Sequence, residues 1–347
     1  MSPFTVVLIV PTGVGAAIGG YAGDALPVAR AIAQISDRLI THPNVLNGAQ
    51  LYWSLDNTYY VEGYGLDRFA AGGWGLRPVR QNKVGLLLDR GIEPELRLRH
   101  IQAADATRAT LGLELTDYVV TDAPLEVELR TADSGASWGT IGNPGSLLRG
   151  AEKLIKQGGA EAIAVVARFP DDDDHESLQN YRHGSGVDHL AGAEAVISHL
   201  IVRQFQVPAA HAPALLPLAV DPEVSPRAAA EELGYTFLPC VLVGLSRAPQ
   251  FVTQPGTSAE VIWSDQVDAL VVPYSSCGGS AILSLANQTE IIAVTNNTTQ
   301  IAVPPEPLGI KVTKVDSYLS ALGVIAARRA GIDYRALNPS ISTLRSL

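Results

Sequence analysis

Cysteine and lysine are both scarce in this chain of 347 residues. Its two cysteines, Cys240 and Cys277, cannot build a disulfide framework. Of its 25 basic residues only five are lysines, which counts against an enzyme that holds its cofactor through a lysine Schiff base. The net charge is −10 and basic residues form no run, so the chain lacks the electrostatic signature of a nucleic-acid binder.

Long apolar runs are also lacking. No apolar run approaches the ~20 residues needed to cross a bilayer, and the first residues do not combine a basic stretch with the apolar stretch of a signal peptide. We therefore expect a cytoplasmic protein with neither a membrane nor a nucleic-acid partner. The hydrophobic content of 47% supplies a sizeable core, and a homo-oligomer is compatible with this composition.

Short apolar runs alternate along the chain with segments that have helical periodicity, such as residues 190–205. This alternation predicts an α/β fold: a mostly parallel sheet flanked by helices, Rossmann-like, in one large or two intimately packed domains. A division into residues 1–140 and 141–347 is expected. The predicted strands include residues 83–88, 162–167, 237–243 and 269–272.

A glycine-rich loop follows the first predicted strand, where Pro11 ends an apolar run. Unpaired amides between a strand and a helix start suit a phosphate or carboxylate, so four glycines are predicted to bind ligand: Gly13, Gly15, Gly19 and Gly20. The loop is not a dinucleotide fingerprint, since Ile18 stands at the third glycine position, nor a P-loop, since no lysine follows. The alternative is a tight turn that needs glycines only for packing.

A second loop, residues 270–280, resembles the first, since an apolar strand runs through Val-Pro into small residues and a Gly-Gly pair. Ligands in open α/β sheets gather beyond the carboxyl ends of strands. The two loops and the turn after the next strand are therefore predicted to line one pocket. The further ligand-binding residues are Gly278, Gly279, Ser280, Asn297 and Thr298.

Cys277 is the candidate nucleophile. It follows a strand and precedes a helix, where amides and the helix dipole would lower the pKa of its thiol. The alternative is a small buried residue in a turn. Cys240 lies inside a predicted strand and is assigned to the core.

Five of the seven histidines lie between residues 175 and 211, next to the acidic run 171–174. Carboxylates and imidazoles are ligands for Mg²⁺, Mn²⁺ or Zn²⁺, so His183, Asp188 and His189 are candidate metal ligands. His183 and His211, in predicted loops flanked by glycine or proline, are the candidate general acids or bases. The alternative for the acidic run is a solvated loop.

Three stretches are similar to a bacterial, notably cyanobacterial, conserved family of unknown function whose members are about 350 residues long. They are V-P-T-G-V-G-A-A-I-G-G-Y-A-G-D near the start, G-A-E-A-V-I-S-H in the middle, and V-V-P-Y-S-S-C-G-G-S-A-I with I-I-A-V-T-N-N-T-T and P-L-G-I towards the end. The resemblance implies that these stretches belong to one type of protein. It implies no activity.

Two functions remain open on the sequence alone. The first is an enzyme acting on a small anionic metabolite, one that bears a phosphate or carboxylate, with a divalent metal as a candidate cofactor. The second is a binding or regulatory module that holds a nucleotide or carboxylate without turnover. The candidate acid, base and nucleophile all follow predicted strands, which favours the enzyme.

Overall fold

The computed structural model describes residues 2–47, 54–171, 175–254, 260–341 and 343–344. The strands within this part of the chain are β1 (Thr5–Leu8), β2 (Arg38–Thr41), β3 (Thr58–Tyr60), β4 (Gly75–Arg77), β5 (Val84–Leu88), β6 (Val119–Val120), β7 (Val127–Thr131), β8 (Ser137–Ile141), β9 (Ala162–Arg168), β10 (Ala209–Ala214), β11 (Gln250–Val252), β12 (Ala269–Pro273), β13 (Glu290–Val294) and β14 (Val312–Val315). The helices are α1 (Leu26–Gln34), α2 (Pro43–Leu46), α3 (Gly63–Ala70), α4 (Pro94–Leu111), α5 (Pro144–Lys156), α6 (His175–Arg182), α7 (Ala191–Phe205), α8 (Ala229–Glu232), α9 (Leu238–Ser246), α10 (Ser280–Leu285) and α11 (Tyr318–Arg329).

The larger sheet has six parallel strands in the order β3-β2-β1-β12-β13-β14. Numbered along the chain, these six strands run 3-2-1-4-5-6 across the sheet. The central strand β1 is buried along its whole length because its residues are apolar or β-branched and helices cover both faces. Helices α1 and α11 pack on one face and α3 and α10 on the other.

The smaller sheet has four parallel strands in the order β10-β9-β5-β6. Its central strand β9 is an apolar run in which six of seven residues are buried. Helices α5 and α7 pack on one face, and α4 and α9 pack on the other. The predicted α/β class, with parallel strands flanked by helices, is therefore confirmed.

One hydrophobic cluster joins the two sheets. It contains Val6 and Leu8 of the larger sheet, Val166 and Ala212 of the smaller, and Leu242 of α9 between them. The larger sheet also takes strands from both ends of the chain. Both predicted segments, 1–140 and 141–347, therefore contribute to it, and the division between them stays a prediction.

Several elements match the sequence prediction and one does not. The strands predicted at 83–88, 162–167 and 269–272 correspond to β5, β9 and β12. The strand predicted at residues 237–243 is wrong, since Cys240 lies in α9. Seven of the nine residues of α9 are buried, so it has no polar face to reveal a helical period, and Pro239 fits its first turn.

Strand β10 was not predicted. Its sequence A-A-H-A-P-A has little β propensity, and Pro213 is tolerated because β10 forms the edge of the smaller sheet. The sequence had suggested that His211 lies in a loop, but it lies within this strand.

The carboxyl ends of both sheets face one cleft. Pro11, His42 and Glu62 line it just after three strands of the larger sheet, while Pro170 and Leu215 line it just after two strands of the smaller. None of the helices in the described ranges is long and apolar enough to span a bilayer.

Candidate functional site

The cleft between the sheets has a volume of about 1060 Å³. It lies where ligands collect in open α/β proteins, beyond the carboxyl ends of parallel strands. Helix α7 forms one wall, and α6 and α8 form the outer rim. The cleft is large enough to enclose a small molecule.

The first cluster in the cleft contains His211, Ser198 and Glu194. Ser198 and Glu194 lie four positions apart on α7, so they share the face that meets β10. The Nδ1 atom of His211 lies 2.5 Å from the Ser198 hydroxyl oxygen. Its Nε2 atom lies 3.4 Å from a carboxylate oxygen of Glu194. The imidazole is thus positioned on both edges, and 20% of the His211 side chain remains exposed.

The second cluster pairs His199 with Glu62. The His199 Nε2 atom lies 3.0 Å from one carboxylate oxygen of Glu62, and the other oxygen accepts from the Gly65 amide at the start of α3. Burial acts to lower the pKa of His199, but its contact with the charged Glu62 outweighs burial and raises that pKa. A Cβ at Gly63 would lie 2.9 Å from Nε2, so glycine allows this close approach.

The third cluster is a group of carboxyls on the α7 and α8 walls. Burial raises the pKa of Glu231 to about 7, and the charge of Glu194 adds to the effect. Burial, then the charges of Glu231 and Glu194, raise the pKa of Asp188 well above its usual range. Because Asp188 and Glu231 interact, they titrate as a pair, and both hold a proton more tightly than an isolated carboxyl.

The Glu231 carboxylate also links the rim to the glycine loop. One of its oxygens accepts a hydrogen bond from the Ala22 amide at 2.6 Å, and the other accepts from the Tyr181 hydroxyl at 2.5 Å. The Tyr21 and Tyr181 rings stack with centroids 4.6 Å apart. Helices α6 and α8 therefore contact the segment that follows the first loop.

Arg182 joins α6 to α8. This buried guanidinium donates to both carboxylate oxygens of Glu232, at 2.6 and 3.1 Å, and to the Ala219 carbonyl at 2.7 Å. Its charge is thus balanced by Glu232. Arg182 is the one arginine or lysine among the described residues that line the cleft, whereas the acidic residues there are Glu62, Asp67, Asp171, Asp188, Glu194, Glu231 and Glu232. The lining is therefore acidic.

The glycines of the first loop meet a packing requirement. Gly13, Gly15 and Gly19 have φ of +70°, +59° and +90°, values that favour glycine. A Cβ at Gly20 would lie 2.3 Å from the Ala16 carbonyl oxygen. A ligand-binding role for these four glycines stays a prediction.

Asn297 and Thr298 hold the first loop in place. The Asn297 side chain accepts from the Ile18 amide at 2.8 Å and donates to the Ile18 carbonyl at 2.9 Å. The Thr298 carbonyl accepts from the Ala17 amide at 2.9 Å, and Asp24 accepts from the Gly19 amide at 2.6 Å. The amide of Gly19, one of the four glycines expected to bind an anion, therefore already has a partner within the protein, as do the amides of Ala17 and Ile18.

The second loop lies beside the first because β12 pairs with β1. Gly279 and Ser280 line the cleft, together with Pro11 and Thr12 at the start of the first loop. Gly278 does not line it and packs against Val303. The two loops thus adjoin, but their contribution to the cleft is smaller than the sequence predicted.

The burial of Cys277 and the pKa of its thiol differ from the prediction. Its side chain is fully buried in a hydrophobic cluster with Val272 and Ile282. Burial raises the pKa of the thiol to about 11, and the charge of Glu306 adds to this. The predicted lowering of the pKa is therefore wrong, because the sulfur points into the core, 3.5 Å from the Tyr274 carbonyl oxygen, and not towards an open helix end.

The predicted metal ligands do not come together. His183 lies outside the cleft lining, and its Nε2 atom contacts Asp221 at 2.9 Å. Asp188 and His189 do line the cleft. Among the residues the structure describes, no three His, Cys, Asp or Glu side chains are arranged to hold a metal ion. Residues 172–174 of the acidic run lie outside the described residues.

Sequence reasoning identified His211 but missed most of its neighbours in the cleft. The spacing of Glu194 and Ser198 on a predicted helix is a signal that could have found both. His42 follows a strand directly, which the strand-end rule could have identified. Glu62 closely follows β3 and could have been found by the same rule, whereas Glu231 carries no local signal, since only the fold brings it to the cleft.

A curated protein of Synechococcus sp., named "Uncharacterized lipoprotein", is 61% identical to this chain over 336 residues. The match covers 96% of this chain and 93% of that protein. Its name contradicts the cytoplasmic location predicted from the sequence, and that prediction is therefore wrong. No solved structure matches the chain.

The resemblance predicted from three stretches of sequence is confirmed over nearly the whole chain. The matching family model, whose description is "Protein of unknown function (DUF3326)", spans residues 5–338. This range includes the strands of both sheets and every side chain described in the cleft. The chain belongs to the DUF3326 family.

Proposed function

We propose that this protein is an enzyme that performs general acid–base chemistry on a small molecule held in the cleft. The observation that carries the proposal is the arrangement of His211, with Ser198 at one ring nitrogen and Glu194 near the other, at a partly exposed position. A positioned imidazole that can reach a ligand is the commonest general acid or base in enzymes.

The hydrogen bonds favour His211 Nε2 as the atom that exchanges a proton. The Ser198 hydroxyl lies 3.4 Å from the Glu194 carbonyl oxygen and can donate to it. The hydroxyl oxygen is then free to accept from Nδ1–H, which leaves a lone pair on Nε2. A proton taken up there would be stabilised by the Glu194 carboxylate 3.4 Å away.

We also propose that the larger sheet is Rossmann-like. Its strand order, 3-2-1-4-5-6 along the chain, is the order of doubly wound dinucleotide-binding folds. In such folds the ligand lies where the strand order reverses, which here is between β1 and β12. The two glycine-containing loops adjoin at that point, and this supports the cleft as the ligand site.

The charge of the cleft favours a neutral or cationic ligand. Among the described residues, seven acidic side chains line it, and the one arginine there is paired with Glu232. The anionic metabolite predicted from the sequence stays a prediction, although the amide of Gly19, one of the four glycines expected to bind it, has a partner within the protein. The alternative of a nucleotide- or carboxylate-binding module without turnover draws its support from the strand order alone.

An untargeted turnover assay tests the proposal. The purified protein would be incubated with a bacterial small-molecule extract, and mass spectrometry would follow each compound over time. We expect a compound to be consumed in large molar excess over the protein, with the rate reduced at least about a hundredfold in His211→Asn. The matched control is His183→Asn, since His183 lies outside the cleft lining. A compound that is retained at one equivalent and remains unchanged would identify a binding module instead.

A further inference from the structure

His42 lies where the larger sheet meets the cleft. It follows β2 directly and precedes α2, which begins at Pro43. Its side chain lines the cleft although the residue is only 9% exposed. The sequence analysis did not select this histidine as a site residue.

The protonation state of His42 follows from its contacts. The Val10 amide donates a hydrogen bond to His42 Nε2 at 3.1 Å, so Nε2 must present its lone pair. In a neutral imidazole the proton then resides on Nδ1. Burial lowers the pKa of His42 to about 4, and the ring therefore stays neutral at physiological pH.

The Nδ1–H group of His42 is available to a ligand. Within the part of the chain that the structure describes, Nδ1 has no hydrogen-bond partner. In the same part of the chain, Nδ1 is not one of the side-chain nitrogen and oxygen atoms that are fully enclosed and lack a partner. Nδ1 therefore keeps contact with open space, and the open space beside His42 is the cleft.

We propose that His42 Nδ1–H donates a hydrogen bond to a carbonyl oxygen of the ligand. This inference rests on the proposed function, because it assigns a ligand class to the same cleft. A nearly buried donor with no protein partner is stabilised by an acceptor that enters the site. A neutral imidazole suits a carbonyl, since it polarises the oxygen without bringing a full charge.

The inference also names a class of reaction. A carbonyl polarised by His42 makes protons on the neighbouring carbon more acidic. When such a proton moves to His211 Nε2, the electron pair of the C–H bond shifts to form an enolate, whose oxygen keeps the hydrogen bond from His42 Nδ1. Return of the proton to the same carbon would complete an exchange. Where that carbon also bears a hydroxyl group, the hydroxyl proton can pass to the former carbonyl oxygen and the first proton can return to the former carbonyl carbon, which completes an isomerisation with no other reactant needed.

Nuclear magnetic resonance on wild-type protein with ¹⁵N-labelled histidine tests the assignment without any variant that could misfold. We expect His42 to remain neutral, with its proton on Nδ1, from about pH 5 to pH 8. Acetamide, the probe for a carbonyl oxygen, should shift the Nδ1 resonance. Methylammonium, which has no acceptor, should not. His100, outside the cleft lining, is the internal control and should respond to neither of them.

Two variants separate the donor from the acceptor of His42. His42→Gln can still accept from the Val10 amide but lacks the Nδ1 donor, whereas His42→Asn keeps a donor near Nδ1 and loses the acceptor. We expect acetamide to bind about fivefold more weakly to His42→Gln than to wild type, the value of one hydrogen bond. His42→Asn should bind it nearly as well as wild type.

Four results would overturn the inference: a His42 ring that titrates near pH 6.5, a proton on Nε2, no response to acetamide, or equal affinity of acetamide for wild type and His42→Gln. Its failure is distinguishable from failure of the proposed function. Turnover that depends on His211 together with an unresponsive His42 would overturn the inference alone. A responsive His42 in a protein without turnover would overturn the enzyme alone.

Discussion

Two neighbouring glutamates of α8 show how position decides the behaviour of a residue. Glu232 faces a buried arginine and forms a bidentate ion pair with Arg182. Among the described residues, the donors to Glu231 are the uncharged Ala22 amide and Tyr181 hydroxyl, and Glu231 lies near other carboxyls. One glutamate is thus paired with a cation, whereas burial raises the pKa of its neighbour to about 7.

Replacing Glu231 with glutamine should change how stability depends on pH. The pKa of Glu231 is raised from 4.5 to about 7 in the folded protein, so the native state holds this proton more tightly than the unfolded chain. Its stabilising contribution is present below about pH 4.5 and is lost as the pH rises towards 7. We expect Glu231→Gln to be more stable than wild type at pH 8, by up to about 3 kcal/mol, and similar to it at pH 4.5.

Urea unfolding at several pH values measures this difference. Glu95→Gln is the matched control, because the Glu95 side chain is 81% exposed and its loss should leave the pH dependence unchanged. Parallel pH profiles for wild type and Glu231→Gln would show that Glu231 keeps an ordinary pKa.

Both cysteines should be unreactive in the native protein. Cys277 is fully buried with a pKa of about 11, and Cys240 is only 2% exposed within α9. Iodoacetamide at pH 8 should therefore label both only after unfolding in urea. Ser134→Cys supplies an exposed thiol that should label at once. Labelling of native Cys277 at a similar rate would restore it as a candidate nucleophile.

At the scale of elements, Arg182 is the main ionic link between α6 and α8. Arg182→Met should destabilise the protein by about 3 kcal/mol, because it leaves the mostly buried Glu232 without its partner. The double variant Arg182→Met with Glu232→Gln should recover most of that loss, since no unpaired charge remains. Hydrogen exchange should locate the faster exchange of the single variant in α6 and α8. Equal stabilities of the single and double variants would mean that the ion pair does not hold the rim.

The connection between the first loop and the turn after β13 depends on Asn297. Asn297→Ala would leave the amide and carbonyl of Ile18 without their partner, at a residue that is 1% exposed. We expect a loss of about 3 kcal/mol in the free energy of unfolding. Asn338→Ala, at an exposed position, should cost far less. Similar losses in the two variants would indicate that the first loop is held by other contacts.

The sequence predicts those elements whose local pattern is compatible with only one type of secondary structure. Buried parallel strands such as β5 and β9 are short continuous apolar runs, and α7 has a helical period, so all three were predicted. Helix α9 is buried all round and looks like a strand. Strand β10 consists mostly of alanine and is stabilised by its pairing with β9, which a local pattern does not contain.

The same limit applies to the site. The strand-end rule led to the correct edge of the sheet and to loops that adjoin in the structure. It misjudged Cys277, because a position in the chain does not say whether a side chain points outwards or into the core. His211 was chosen for its residue type, but its partners Ser198 and Glu194 become recognisable only when α7 is packed on β10.

At the scale of the whole molecule, the cleft exists because two parallel sheets present their carboxyl ends to each other. Neither sheet alone would enclose a ligand, since β1 and its neighbours supply one wall and β10 with α7 supplies the other. The sheets also share a hydrophobic cluster that runs from Val6 to Leu242. This shared core therefore fixes the position of one sheet relative to the other, and with it the position of one wall of the cleft relative to the other.

This shared core predicts how fragments of the chain should behave. Strand β1 pairs with β12 along Val6, Val7 and Leu8, so a fragment of residues 1–140 would lose a central neighbour of its sheet. A fragment of residues 141–347 would keep β12 but lose β1, and the cut itself passes through β8. We expect neither fragment to unfold cooperatively when heated, because each exposes apolar surface that the intact chain buries.

Circular dichroism melts test this expectation. They would be recorded for the separate fragments, for the two fragments produced together, and for the intact chain. The fragments produced together should regain part of the cooperative transition, since their contacts cross the cut without needing the peptide bond. A fragment of residues 1–140 that melts cooperatively on its own would instead establish the division at residue 140 as a domain boundary.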